Sequence, residues 1–289
     1  MTSAPPAHPS APMRSTAPPG GAKRHLVLLV LAVASLWRRE VVRFLRQRSR
    51  IVGALATPIV FWLLLGSGLG RSFRAAGAPD DGTYLQYFFP GTIVMILLFS
   101  AIFSTISIIE DRREGFLQSV LVAPVPRVAL VLGNVLGGTT LAAGQAAVLL
   151  SAAPWAGLSP GPAGLMAAAG WLLLIGFGLA SLGFLIAWQF DSTQGFHAVM
   201  NLVLVPLWML SGAVFPASGA PGWLQWVVAL NPVSYHVAAV RRCLVPVEVA
   251  RDMGLPGWPL CAAVSTGFAA CLFILCVRTV EKQNASRFA

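Results

Sequence analysis

Five stretches of the chain lack Asp, Glu, Lys and Arg altogether: 51–70, 82–109, 128–190, 192–240 and 253–277. A membrane-crossing helix needs about 20 apolar residues, so the first, second and last stretches each have room for one. The third is long enough for two, and its Pro154-Trp155-Ala156-Gly157-Leu158-Ser159-Pro160-Gly161-Pro162 run marks the break, because clustered Pro and Gly interrupt helices. The fourth begins as a helix but is then broken by Phe215-Pro216, Pro221-Gly222 and Asn231-Pro232. It reads as one span followed by short, partly membrane-embedded helices on one side. The pattern therefore predicts an all-α polytopic fold with six transmembrane helices, at about 51–70, 88–109, 128–152, 164–188, 196–214 and 258–277. A competing reading makes 222–240 a seventh span.

Composition agrees: 56% of the 289 residues are hydrophobic and 10% are charged, against about a quarter charged in soluble domains. Positive charge then orients the bundle, since flanks that stay cytoplasmic retain Lys and Arg. With six spans, one side holds Arg14, Lys23, Arg24, Arg38, Arg39, Arg43, Arg46, Arg48 and Arg50, then Arg112, Arg113 and Arg127, then Arg278, Lys282 and Arg287. The other holds Arg71, Arg74, Arg241, Arg242 and Arg251. Both termini are expected in the cytoplasm of a multi-pass inner-membrane protein. The net charge of +10 is explained by topology and anionic lipid rather than by nucleic acid. Cys243, Cys261, Cys271 and Cys276 form no CxxC pair, and the four histidines are scattered, so no metal site is expected.

Residues 1–22 are rich in Pro, Ala and Ser and read as a disordered cytoplasmic tail, as does 279–289 at the other end in its placement. Residues 23–50 read as an amphipathic interfacial helix ahead of the transmembrane domain at 51–278. Trp37, Val41, Phe44 and Leu45 recur at helical spacing, and Arg38, Arg39, Arg43, Arg46 and Arg50 line the polar side. Such a helix rests on lipid with its arginines reaching phosphate.

The loop after the second span, residues 110–127, concentrates its charge in Glu110, Asp111, Arg112, Arg113 and Glu114. Gly115 follows, then the apolar Phe116, Leu117, Val120 and Leu121, and Pro124 with Pro126 ends the run. A short amphipathic helix of this kind either lies on lipid or docks its apolar ridge in a partner's groove.

Glu110, Arg112 or Arg113, Gly115, the Leu117 to Leu121 block, Pro124 and Arg127 resemble a motif of the membrane subunits of type-2 ABC exporters. A second block after the fifth span, Pro206, Ser211-Gly212, Phe215-Pro216, Pro221, Asn231-Pro232 and Arg241, is similar to the same family's later pattern. Together the blocks cover nearly the whole chain after its tail. The resemblance implies a permease whose 110–127 loop couples to a separate cytoplasmic ATPase, the subunit that binds ATP and Mg. It implies that the 24–48 helix braces that contact and that two permease copies form the working unit. It also implies that Phe215, Pro216, Pro221, Trp223, Asn231, Pro232 and Arg241 belong to short re-entrant extracytoplasmic helices capping the route. A drug, lipid or lipid-linked glycan would be exported.

No GxxxxGK[ST] phosphate loop is present, since no Gly precedes Lys. The chain itself is expected not to be an enzyme. Span interiors lack the ionisable residues that ion-coupled transporters use as relays, which weighs against a secondary transporter. An intramembrane enzyme, the other alternative, would need paired carboxylates or a Ser-His arrangement, and Asp191 and His197 have no partner nominated by sequence.

Overall fold

The computed structural model describes residues 21–69, 83–116, 126–216 and 219–288, all helical or turn, with no strand among the described residues. Six of its helices are long and apolar enough to cross a membrane: Ile51–Leu69, Tyr84–Arg113, Arg127–Leu150, Pro162–Ala187, Thr193–Ala213 and Trp258–Lys282. The chain is thus an all-α multi-pass membrane protein.

The first helix, α1 (Gly21–Arg46), ends at Gln47, and α2 (Arg48–Leu69) follows at once. The helix expected at 23–50 therefore stops four residues early, and its last basic residues, Arg48 and Arg50, open α2 just ahead of the first span. The second span is interrupted at one residue. Helix α3 (Tyr84–Ser104) yields at Thr105 to α4 (Ile106–Arg113). Three neighbouring hydroxyl side chains donate back to carbonyls one turn earlier: Ser104 to Ala101 at 2.7 Å, Thr105 to Ile102 at 2.6 Å and Ser107 to Ser104 at 3.1 Å. Back-bonding of this kind bends helices. The charged 110–113 turn, expected as the start of a loop, is the last turn of this helix.

Helix α3 is apolar on every side and is the axis of the bundle: Phe88, Phe89, Ile93, Val94, Ile96, Leu97, Leu98, Ala101 and Ile102 are all fully buried. A helix of that composition belongs at the centre of a bundle. Around it stand α2, α5 (Arg127–Leu150), α6 (Pro162–Ala187) and α7 (Thr193–Trp208). The last helix, α11 (Trp258–Phe288), packs on α6. Helix α2 seats only one face on α3. Trp62 donates to the Leu85 carbonyl at 3.0 Å and meets Phe89 edge-on, while Val60, Phe61, Leu63 and Leu64 point outward, as residues facing lipid do.

Small residues set the close approaches. A Cβ at Gly133 would lie 2.7 Å from the Leu36 Cβ, and one at Gly137 would lie 2.7 Å from the Glu40 Cβ. The Gly133-x-x-x-Gly137 pair is thus the groove in which α1 lies against α5, a use of small residues familiar from membrane helices.

Beyond α7 the chain forms a π-helical turn at Met209–Ala213, then α8 (Gly222–Leu230), α9 (Pro232–Leu244) and α10 (Val247–Asp252). Asn231, extended at φ −79° and ψ 116°, separates α8 from α9. At 9 and 13 residues, neither reaches the length of a span, so the seven-span reading fails.

Candidate functional site

The expected site residues fall at the two ends of the bundle. At the charged end, the last turn of α4 presents two acids and then two bases to different neighbours. Arg43 of α1 donates to Glu110 at 2.7 Å and to Asp111 at 2.9 Å. Arg39 holds both oxygens of Asp111 and also Glu40 at 2.9 Å. Its guanidinium lies 3.9 Å from the centre of the Phe116 ring. Asp111 is 4% exposed, and bidentate pairing with Arg is what makes such a carboxylate tolerable away from water.

The basic residues of the same turn reach the other way. Arg112 donates to the Trp188 carbonyl at 2.5 Å and the Asp191 carboxylate at 3.2 Å, and Arg113 Nε donates to the Asp191 carbonyl at 2.8 Å. These acceptors lie in the 188–192 connection between α6 and α7. One helical turn therefore ties α1 to the α6–α7 connection. Gly115 follows at φ 78°, a left-handed conformation that glycine adopts freely, and it turns the chain out of the helix. Arg127 is the first residue of α5. Leu117, Leu121 and Pro124 lie outside the described residues.

On α1, the inward side consists of Leu36, Glu40 and Phe44, with Arg39 and Arg43 turned toward α4. The latter two, expected among the lipid-phosphate arginines, pair instead with the acids of α4, of which Asp111 is buried and Glu110 partly exposed. Trp37 is partly exposed and donates to Thr140 Oγ of α5 at 3.0 Å; Val41 is half-buried, while Arg38 and Leu45 are exposed. Glu40 and Asp111, which carry the contact, were missed as site residues. The signal in the sequence is that Arg39/Arg43 and Glu110/Asp111 are complementary. Burial is the main force raising the Glu40 carboxyl above its ordinary pKa; Asp111 adds to it, against the Ser107 hydroxyl, Arg39 and Arg43.

At the opposite end, the π-helical turn leaves carbonyls that side chains must satisfy, since irregular backbone in a membrane is stable only when its polar groups are paired within the protein. Asn231 Nδ2 donates to Leu207 at 2.6 Å and Leu210 at 3.2 Å, and its Oδ1 accepts from Val233 N at 2.9 Å, capping α9. Tyr87 and Arg241 both donate to the Gly212 carbonyl, at 2.9 and 3.2 Å; Tyr84 donates to Val214 at 2.9 Å. Trp208 donates to Gly91 at 2.8 Å, where a Cβ would strike Ala213 at 2.7 Å. Ser211-Gly212, Asn231-Pro232 and Arg241 thus converge on one knot. Phe215 and Pro216 are half-buried at its edge, whereas Pro221, which precedes α8, and Trp223 on that helix are exposed. Among the described residues, no group of three or more His, Cys, Asp or Glu could hold a metal ion.

Residues 32–245 match the family model described as ABC-2 type transporter. The chain is 25% identical over 209 residues to a putative transport permease, ycf38, of Cyanophora paradoxa, covering 71% of each chain. It is 26% identical over 220 residues to nodulation protein J of Rhizobium meliloti (strain 1021), covering 73% of this chain and 80% of the relative. It is also 26% identical over 259 residues to the daunorubicin resistance ABC transporter permease protein DrrB1 of Streptomyces coeruleorubidus, covering 86% of each.

Proposed function

The chain belongs to the ABC-2 type transporter family, as the membrane subunit of an ABC transporter, and we propose that it exports an amphipathic or hydrophobic substrate when a separate cytoplasmic ATPase drives it through the 110–127 surface. Membership of the family implies such an ATPase partner. The observation that carries the coupling reading is the double tether of Glu110–Arg113. The same turn is ion-paired to α1 through Arg39 and Arg43, and bonded to the α6–α7 connection through Arg112 and Arg113. A push at this turn moves several helices together, which is what converting nucleotide-driven closure into altered access requires.

The arginines of 110–127, with the Lys and Arg of the N-terminal segment and of the tail, support a cytoplasmic position for this end, in the inner membrane with both termini inside. Two copies form the route, and α1 braces the ATPase contact. The daunorubicin resistance named for one relative supports cargo with an apolar body, as do the uncharged interiors of the spans. The ATP and Mg belong to the partner, and this chain carries no catalysis of its own.

The direct test is Leu117→Asp in the intact cell, read by co-purification of the ATPase and by cargo efflux. Loss of both with normal membrane abundance is expected; unchanged coupling would remove the loop from the mechanism.

A further inference from the structure

Arg241 is 4% exposed at the end of the bundle opposite the tethered turn. Its Nη2 donates to the Tyr87 and Gly212 carbonyls, each at 3.2 Å, and its guanidinium lies 4.2 Å from the Tyr87 ring centre. Its neighbour Arg242 donates to the Leu255 and Pro256 carbonyls at 3.3 Å and lies 5.4 Å from the Trp258 ring centre. Neither forms an ion pair among the described residues, and in both the Nε group is buried without an acceptor. A cation withdrawn from water is costly unless an anion or a full set of acceptors compensates it. An arginine held in a membrane protein with partial compensation therefore points to an exchangeable counterion.

The space for one is present. Both arginines line a cavity of about 780 Å³, and Arg241 also lines a second of about 420 Å³. The larger cavity combines this positive pole with an apolar wall that includes Leu158, Ala167, Leu244, Val247 and Trp258. Exposed Thr83, Gly157 and Ser159 on its lining give it access to the surface.

We propose that this cavity binds a phosphate-type oxyanion, with Arg241 and Arg242 as its counterions. Planar guanidinium groups match the geometry of such an anion, and the apolar wall accepts a tail attached to it. The head group of an acidic lipid and free phosphate share this chemistry. The site lies within one copy of the chain and requires no ATPase.

The test titrates the purified full chain in neutral detergent, by calorimetry, with short-chain phosphatidic acid, the matched phosphatidylcholine and inorganic phosphate. Saturable binding of phosphatidic acid is expected, with R242Q weakening it roughly tenfold, the scale of one lost charge-assisted hydrogen bond, and with R242K, which keeps the charge but loses the fork, falling between the two. Because Arg241 also holds the π-helical turn, R242Q carries the measurement, provided it melts as the parent does; should it not, R241K takes its place, with weaker binding expected from its lost fork. Binding of phosphatidic acid but not phosphate assigns an amphiphile's head group, while arginine-dependent binding of both assigns a free anion. Equal binding of phosphatidylcholine, or phosphatidic acid binding that R242Q leaves unchanged, overturns the site.

Discussion

Asp111 is the residue on which the charged end turns, because it accepts from two arginines of another helix while itself buried. Asp111→Asn keeps the shape and removes the charge. Removing one member of a fully buried pair costs about 3–5 kcal/mol. Arg39 and Arg43 retain 29% and 27% side-chain exposure and can turn to water, so a loss of about 1–2 kcal/mol is expected here, read as a lower Tm in detergent. Glu40 gives a pH prediction. Burial raises its folded pKa, so the folded state holds the proton more tightly than the unfolded chain. Its contribution is fully present below the ordinary carboxylate range and is lost as pH rises through the raised value. Glu40→Gln should therefore flatten the fall in Tm across that window, and an unchanged pH profile would contradict the assignment.

Among the elements, the spans were legible because charge-free runs and Pro-Gly breaks report membrane depth directly. The interruption at Thr105 was not, since back-bonding hydroxyls occur in unbroken helices as well. The seat of α1 is legible only in half: the four-residue spacing of Gly133 and Gly137 suits a close approach of helices, but nothing in it says that α1 fills the groove. Gly137→Leu tests that seat. Its side chain would meet Glu40, and bis-maleimide cross-linking of cysteines at positions 37 and 140, in a background without native cysteines, should fall severalfold. The knot at the other end was legible as a list of residues, Ser211, Gly212, Asn231 and Arg241. That they satisfy the carbonyls of one π-helical turn needed the fold. Asn231→Ala removes a cap, typically about 1 kcal/mol, and also strands two carbonyls. A loss of about 2 kcal/mol or more is expected, measured by thermal unfolding in detergent.

At the scale of the molecule, the two ends divide the work. One joins Arg39, Arg43 and Asp191 by ion pairs to a turn that binds helices to each other, and the other closes a broken span with side-chain donors. Family membership and the six-span layout were readable from the sequence, because both rest on residue type and order. The tether was not, because its halves lie about 70 residues apart and meet only through packing. The central claim is that force from a separate ATPase enters at the tethered turn. ATP-dependent cargo uptake into inside-out vesicles, containing the chain with and without its ATPase, tests it most directly. Uptake is predicted only with both subunits, and severalfold lower with Asp111→Asn at equal abundance; uptake by this chain alone, equal to that of the pair, would contradict it.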